Sequence, residues 1–254
     1  MSGFDAPICI KTPEELKIMA EGGKKLRQVK NELEKMTVAG VNALQIEEKA
    51  CELIAKTGGK PSFKMVPGYH WATCVNVNSG LVHGIPKKSL VFKKGDLVSI
   101  DVGLFYKGFH TDTSISVGID LDPDTQKFFD TGKKALAKSI KMAVSGNKIC
   151  DISKTMEGVL KGSGYSPVMA LVGHGVGRTL HEEPAIPCFG AEKREYSPEI
   201  KNGMALAIEV MYTLGSPDLV MEEDGWTIGT RDGKISALFE ETVAVTPDGP
   251  LVLT

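Results

Sequence analysis

Long apolar runs, paired-cysteine motifs, low-complexity stretches and a large excess of either charge are all missing from this 254-residue chain. The hydrophobic runs it does have fall far short of a membrane span. No basic stretch followed by an apolar run opens the sequence, which argues against a signal peptide. Its five cysteines (Cys9, Cys51, Cys74, Cys150 and Cys188) are scattered, odd in number and never spaced as CxxC. That usage argues against a disulfide framework or a zinc finger and for a reducing, cytoplasmic setting. With 30 basic and 32 acidic side chains the net charge is −2, so there is no electrostatic case for nucleic acid or a membrane surface as the main partner.

What is present suits a globular protein: 42% hydrophobic and 24% charged residues, in a chain long enough to bury a real core. The 28 glycines are more than average and favour tight turns and close backbone approach. No Pro/Ser-rich linker divides the sequence, so a single compact domain over 1–254 is expected.

Thr12-Pro13-Glu14-Glu15 is a helix start, with a threonine cap, proline first and glutamate three after the cap. Leu16, Met19, Leu26, Val29 and Leu33 then mark one buried stripe. A second helix is predicted over 43–56, with Ile46, Ala50, Leu53 and Ile54 inward and Gly58 ending it. The plan repeats. Asp122-Pro123 starts a long helix carrying Phe128, Phe129, Leu136 and Ile140, and a shorter helix over 152–160 stops near Gly162. Strand-like stretches follow each pair, at 73–77, 97–105 and 109–118, and again at 168–172, 204–214, 226–230 and 235–245. Two runs of helix, helix and strands predict an α+β fold with a mostly antiparallel sheet.

The halves, about 12–120 and 121–250, also echo one another in detail. In segments 94–102 and 202–210 an acid, Asp101 or Glu209, lies six residues after a glycine among apolar neighbours. Upstream, His83-Gly84-Ile85-Pro86 is matched by His181-Glu182-Glu183-Pro184. Such a duplicated unit can bring acids to a common centre.

A hairpin turning at Lys107-Gly108 would pair Asp101 with Ser114 and Gly103 with Asp112. Asp101 and Asp112 then share a face, roughly 7–8 Å apart at Cα, close enough to hold one ion. Unpaired acids among apolar neighbours repel each other; the alternative is an open, solvated sheet face. Gly173-His174-Gly175-Val176-Gly177 lacks the third glycine of a dinucleotide loop, and Pro184 comes too soon for the helix such a loop needs. Flanking glycines instead let backbone crowd an imidazole. Glu209 lies in an apolar strand with no basic neighbour, and alternation turns either Glu240 or Glu241 inward. His83 and His181 are candidates to contact a substrate amide or a leaving amine. Four carboxylates and one imidazole form a hard donor set suited to two divalent ions such as Mn, Fe, Co or Zn. Such a pair can lower the pKa of a shared water.

With these residues in view, the chain resembles the type I methionine aminopeptidases, which belong to the pita-bread metallopeptidases. The resemblance runs nearly the whole length and rests on His83–Pro86, Asp101 with Gly108–Thr113, Gly173–Arg178, His181–Pro184, Ile208-Glu209 and Glu240. It implies a pseudo-two-fold pita-bread fold, a mostly antiparallel sheet covered by two pairs of helices. It implies that Asp101, Asp112, His174, Glu209 and Glu240 hold two metal ions, with Asp112 and Glu240 bridging, and it prefers Glu240 over Glu241. Glu209 would also move a proton, His83 and His181 would contact the scissile peptide, and Cys74, Tyr69 and Trp226 would line a methionine pocket. The implied activity is removal of initiator methionine from nascent chains whose second residue is small, by a monomer working near the ribosome. Leu180, Glu241, Phe63 and Val66 depart from the family's usual residues and bear on pocket shape and rate. Two other readings of this fold are a related Xaa-Pro peptidase and a non-catalytic binding protein.

Overall fold

The structure, a computed structural model, describes residues 7–254. Helix α1 (Pro13–Met36) begins as its sequence dictates: Thr12 Oγ1 accepts from the Glu15 amide at 3.2 Å, and the Glu15 carboxylate accepts from the Thr12 amide at 2.8 Å. A cap of this kind is worth about 1 kcal/mol. Helix α2 (Ala43–Thr57) uses Asn42 and Gln45 in the same reciprocal way and ends on Gly58 in the left-handed region. There follow β1 (Lys60–Pro61), a single turn over Phe63–Met65, β2 (Thr73–Val77), β3 (Gly80–Val82), β4 (Leu97–Tyr106) and β5 (Phe109–Gly118). The second half opens with α3 (Pro123–Ile140), capped by Asp122, and α4 (Ile149–Gly162). Its strands are β6 (Ser166–Pro167), β7 (Val172–Gly175), β8 (Glu182–Pro187), β9 (Ala205–Thr213), β10 (Leu219–Met221), β11 (Ile228–Thr230), β12 (Ser236–Thr246) and β13 (Gly249–Val252).

One large sheet runs in the order β1-β4-β5-β12-β9-β7-β8, and every pairing in it is antiparallel. Its plan is two-fold. On one side the short β1 and β2 share an edge of β4, which pairs β5; on the other β6 and β7 share an edge of β9, which pairs β12. The halves meet where β5 lies against β12. This is the pita-bread arrangement that the resemblance implies. A small sheet, β10-β11-β3, lies beside it.

Apolar side chains gather mainly in two clusters, one built on α1, α2, β2 and β4, the other on α3, α4, β9 and β12. Leu26, Ile46 and Ile54 in the first and Phe128, Ile152 and Tyr212 in the second are fully or almost fully buried. Each such side chain contributes roughly 1.5–3 kcal/mol relative to an exposed one. Alternation along β12 then divides its acids. Glu240 is buried on the face away from the helices, while Glu241 turns back toward α1 and meets Lys30 Nζ at 2.6 Å.

The β4–β5 hairpin turns at Lys107-Gly108, both at positive φ (48° and 90°), and its register pairs Tyr106 with Phe109, Gly103 with Asp112 and Asp101 with Ser114, as predicted. Several boundaries differ from the sequence reading by a residue, and three differ by more. The strand expected over 168–172 is split, because β6 and β7 each take part of the same edge of β9 and residues 168–171 loop between them. Residues 226–227 are excluded from β11 because Asp224 Oδ1 accepts from the Trp226 and Thr227 amides and folds them into a turn. Helix α4 starts three residues before Ile152, where Asp151 reaches back to the Lys148 amide at 2.8 Å.

Candidate active site

Strand register carries a single row of side chains across the seam between the halves: Cys74 opposite Asp101, Asp101 opposite Ser114, Ser114 opposite Glu240, and Glu240 opposite Glu209. Residues facing each other across a ladder share a face, so this row points one way. Asp112, two along from Ser114, joins the same face. His174 pairs with Ala207, two before Glu209, and joins it as well. All five sequence-predicted donors therefore line one concavity. Donor atoms of Asp112, His174 and Glu240 lie within 4.8 Å of one another, and His174 Nε2 is 3.5 Å from Glu209 Oε1.

Two glycines let the imidazole sit so deep. A Cβ at position 173 would come within 2.6 Å of the Ala207 carbonyl oxygen, and one at 175 within 2.2 Å of the Glu183 carbonyl oxygen. His174 Nδ1 lies 2.8 Å from the Gly175 carbonyl, so it carries the proton and leaves Nε2 free as a lone-pair donor. Burial, with His181 nearby, pushes the His174 pKa down to about 3. It is neutral, as a metal ligand must be.

The acids fit a cation. Among the described residues no lysine or arginine pairs with Asp101, Asp112, Glu209 or Glu240. Asp101 Oδ1 and Glu240 Oε1 are buried with no hydrogen-bond partner. Burial, then mutual repulsion, holds Asp101, Glu209 and Glu240 well above the usual carboxylate range, and burial pushes Asp112 up to about 7. A divalent cation would supply the charge that this oxygen-rich, thiolate-free set lacks.

Above about pH 6.5 these shifts give the protein a pH dependence of definite sign. Unfolded carboxyls ionise near pH ~4. The cation-free folded state holds a proton to about pH 7 at Asp112, where the unfolded state has already lost it. Carboxyl ionisation therefore costs stability as pH rises. The histidines held neutral, His174 and His110 above all, oppose that slope until unfolded imidazole deprotonates at pH ~6.5, so the net fall begins above that pH. Chelator-treated protein is expected to lose several degrees of Tm between about pH 6.5 and pH 8.5, where the carboxyls alone set the slope. Added Mn(II) or Co(II) is expected to return most of that loss at the upper end. A Tm that is flat with pH and indifferent to the ions would contradict the cation reading.

Beside the donors lies a cavity of ≈ 180 Å³ whose apolar wall is Phe63, Val66, Tyr69, Cys74, Leu180 and Trp226. Tyr69 meets Trp226 edge to face at 5.0 Å and spends its hydroxyl on the Thr73 carbonyl at 2.9 Å, so the wall it offers is apolar. His83 and His181 stand at the mouth and also line an open cleft of ≈ 400 Å³ with Leu171 and Met211. Burial lowers the pKa of both imidazoles, so both are neutral at pH 7. His83 has φ = 58°, unusual for a residue with a side chain. It is held there by the next residue: the Gly84 carbonyl accepts from the Val75 amide at 2.8 Å, and a Cβ at 84 would come within 2.2 Å of the Val75 oxygen. Strain of this order, roughly 1–3 kcal/mol, persists where surroundings over-determine it.

The chain matches the model of metallopeptidase family M24 over residues 17–247. A methionine aminopeptidase of Clostridium perfringens is 38% identical over 97% of this chain and 98% of its own. Methionine aminopeptidase 1 of Bacillus subtilis is 38% identical over 97% and 99%. The chain belongs to the methionine aminopeptidases of family M24. The crystal structure of the Thermotoga maritima methionine aminopeptidase superposes on this metallopeptidase with a TM-score of 0.94 at 39% identity, covering 98% of this chain and 99% of that one. A Pyrococcus furiosus prolidase shares the fold, with a TM-score of 0.78 at 21% identity, but this chain covers only 65% of it. The Xaa-Pro and non-catalytic readings are thus not favoured, and the enzyme is a metal-dependent peptidase.

Sequence reading missed several residues around this aminopeptidase site. His110 is buried with Nδ1 2.9 Å from Ser62 Oγ, and burial pushes its pKa down to about 4. Glu182, next to His181, forms a buried pair with Lys11 at 2.6 Å that fixes the segment before α1 against the start of β8. Glu47 accepts from the Ala72 and Thr73 amides and so sets the start of β2, which carries Cys74. Each partner is far off in sequence, and no local pattern announces it.

Proposed function

We propose that this enzyme removes the N-terminal methionine from nascent proteins and peptides whose second residue is small, using two divalent ions held by Asp101, Asp112, His174, Glu209 and Glu240. The observation that carries this reading is the junction of three things at one point: a cation-demanding donor cluster, an apolar-walled cavity, and two neutral histidines at its mouth. The cavity of ≈ 180 Å³ is of a size for one unbranched side chain. A thioether there would meet Cys74 and the Tyr69 and Trp226 rings, which suit a polarisable sulfur. Two buried and two part-buried carboxylates beside a neutral imidazole would carry about the charge that two divalent ions offset, and Asp112 and Glu240, one from each half, would join the donors of the two halves.

Bound metal, drawn from Co, Mn, Fe or Zn, would supply a Lewis acid and a water acidified toward neutral pH. The protein supplies the rest. Glu209, beside His174, takes a proton from the attacking water and returns it to the departing amine. His83 donates to the scissile amide, and His181 supports the leaving group; as neutral imidazoles both can donate at one nitrogen and accept at the other. The Tyr69–Trp226 wall fixes the methionine side chain, so the bond to be cut lies over the donors. Leu180, Val66 and Phe63 set the cavity's floor plan, and Glu241, paired with Lys30, takes no part in the centre.

The chain is best read as one catalytic domain of two related halves, acting as a cytoplasmic monomer on chains leaving the ribosome. Among the described residues no helix is long and apolar enough to cross a membrane. The test is a peptide panel run across a metal series with metal content measured. With Mn(II) or Co(II), Met-Gly-Xaa peptides are expected to release methionine at least ten times faster than those with a bulky second residue. Equal cleavage of Xaa-Pro peptides, or none with any metal, would sink the assignment.

A further inference from the structure

The seam between the two halves is stitched by hydroxyls rather than by a full ladder. Strand β4 pairs with β5 through ten residue pairs and β12 with β9 through nine, but β5 meets β12 through only two, Ser114 with Glu240 and Thr113 with Glu241. On either side a hydroxyl takes over. Thr242 Oγ1 accepts from the Asp112 amide at 2.9 Å and donates to the Asp112 carbonyl at 2.8 Å. Ser116 Oγ accepts from the Leu238 amide at 3.1 Å and donates to the Leu238 carbonyl at 2.9 Å. The two clamps are exchanged by the pseudo-two-fold relation, each two residues from the Ser114–Glu240 pair. A third bond crosses from behind: Thr113 Oγ1 donates to the Glu240 carbonyl at 2.9 Å and is itself held by buried Lys30 Nζ at 3.0 Å.

Two of these three connections end on the backbone of a donor residue, Asp112 or Glu240, which come from opposite halves. We propose that Thr242 and Thr113 are positioning residues for the divalent-ion centre, fixing the separation of Asp112 and Glu240 across the seam. This rests on the reading that those two acids hold the ion. A carboxylate placed by a short ladder can drift with its strand. A hydroxyl that holds both polar groups of the same residue pins it in two directions. Ser116 closes the same seam but ends on Leu238, which bears no donor, and so separates positioning from plain strand adhesion.

The test is Co(II) titration of metal-free protein, followed by calorimetry and by the visible absorption bands of the bound ion, with Tm recorded alongside. Should the wild type take up no Co(II), the ion-site reading itself fails, whatever the variants do. Given wild-type binding, Thr242→Val and Thr113→Val are each expected to weaken Co(II) at least ~10-fold, in line with lost outer hydrogen bonds to metal ligands, and to shift the visible bands. Thr242→Ser restores both, and Ser116→Ala lowers Tm while keeping wild-type affinity and bands. Valine variants with wild-type affinity and bands overturn the proposal. So does a loss in Ser116→Ala as large as in Thr242→Val, or a serine variant as weak as the valine one. If Thr242→Val does not fold, Thr113→Val, which leaves both clamps in place, decides the matter by the same two readouts.

Discussion

Asp112→Asn and Glu240→Gln are each expected to lower kcat/KM for a Met-Gly-Xaa peptide by at least about 10³-fold, equivalent to ~4 kcal/mol of transition-state stabilisation. Both changes keep side-chain shape and remove a negative charge from a cluster that has no basic partner among the described residues. Both residues are almost fully buried, so solvent cannot stand in for the lost oxygen donor. The amide also presents N–H groups to the remaining carboxylates and would rather bond them than leave them to a cation. Retained metal should therefore drop with activity, read as metal per protein after exhaustive dialysis. A variant keeping a tenth of the rate with full metal content would remove that acid from the centre.

A different signature is expected at the mouth of the cavity. His83→Ala should bind Co(II) or Mn(II) as the wild type does but lose about 10²–10⁴ in kcat, the range for loss of a positioned acid–base group. His83 lines both the apolar-walled cavity and the wider cleft, where the bond between first and second residues would lie. It lies outside the row of facing strand residues that carries Asp101, Glu240 and Glu209. The alanine would also shed the strain of φ = 58° only in part, since Gly84 still fixes the turn. Metal loss in this variant, measured before any assay, would show that the histidine's role was assigned wrongly.

Much of this was legible in the residues alone, and the reasons are local. The α1 start was readable because threonine, proline and glutamate satisfy the free amides of a first turn within four positions. The hairpin register was readable because Lys107-Gly108 fixes a two-residue turn and alternation does the rest. From that register came the shared face of Asp101 and Asp112. Which of Glu240 and Glu241 turns inward was not readable from pattern, because the deciding partner, Lys30, lies 211 residues away. The strand around His174 was misplaced by a few residues because an apolar run does not reveal that two short strands must share one edge of β9. The seam hydroxyls of Thr113, Ser116 and Thr242 looked like ordinary strand residues, since Thr and Ser are unremarked in any half-buried ladder.

The donor cluster has a consequence for the order in which the polypeptide is made. Asp101 and Asp112 are joined early, on one hairpin, but the strands that bring His174, Glu209 and finally Glu240 follow more than fifty residues later. While the chain is still growing, the first acids stand without their counterparts, and no cage exists to trap an ion. Binding capacity arrives abruptly, when β12 slots in between β5 and β9. Metal uptake should thus report completion of the second half, and a chain stopped short of residue 236 would emerge inert.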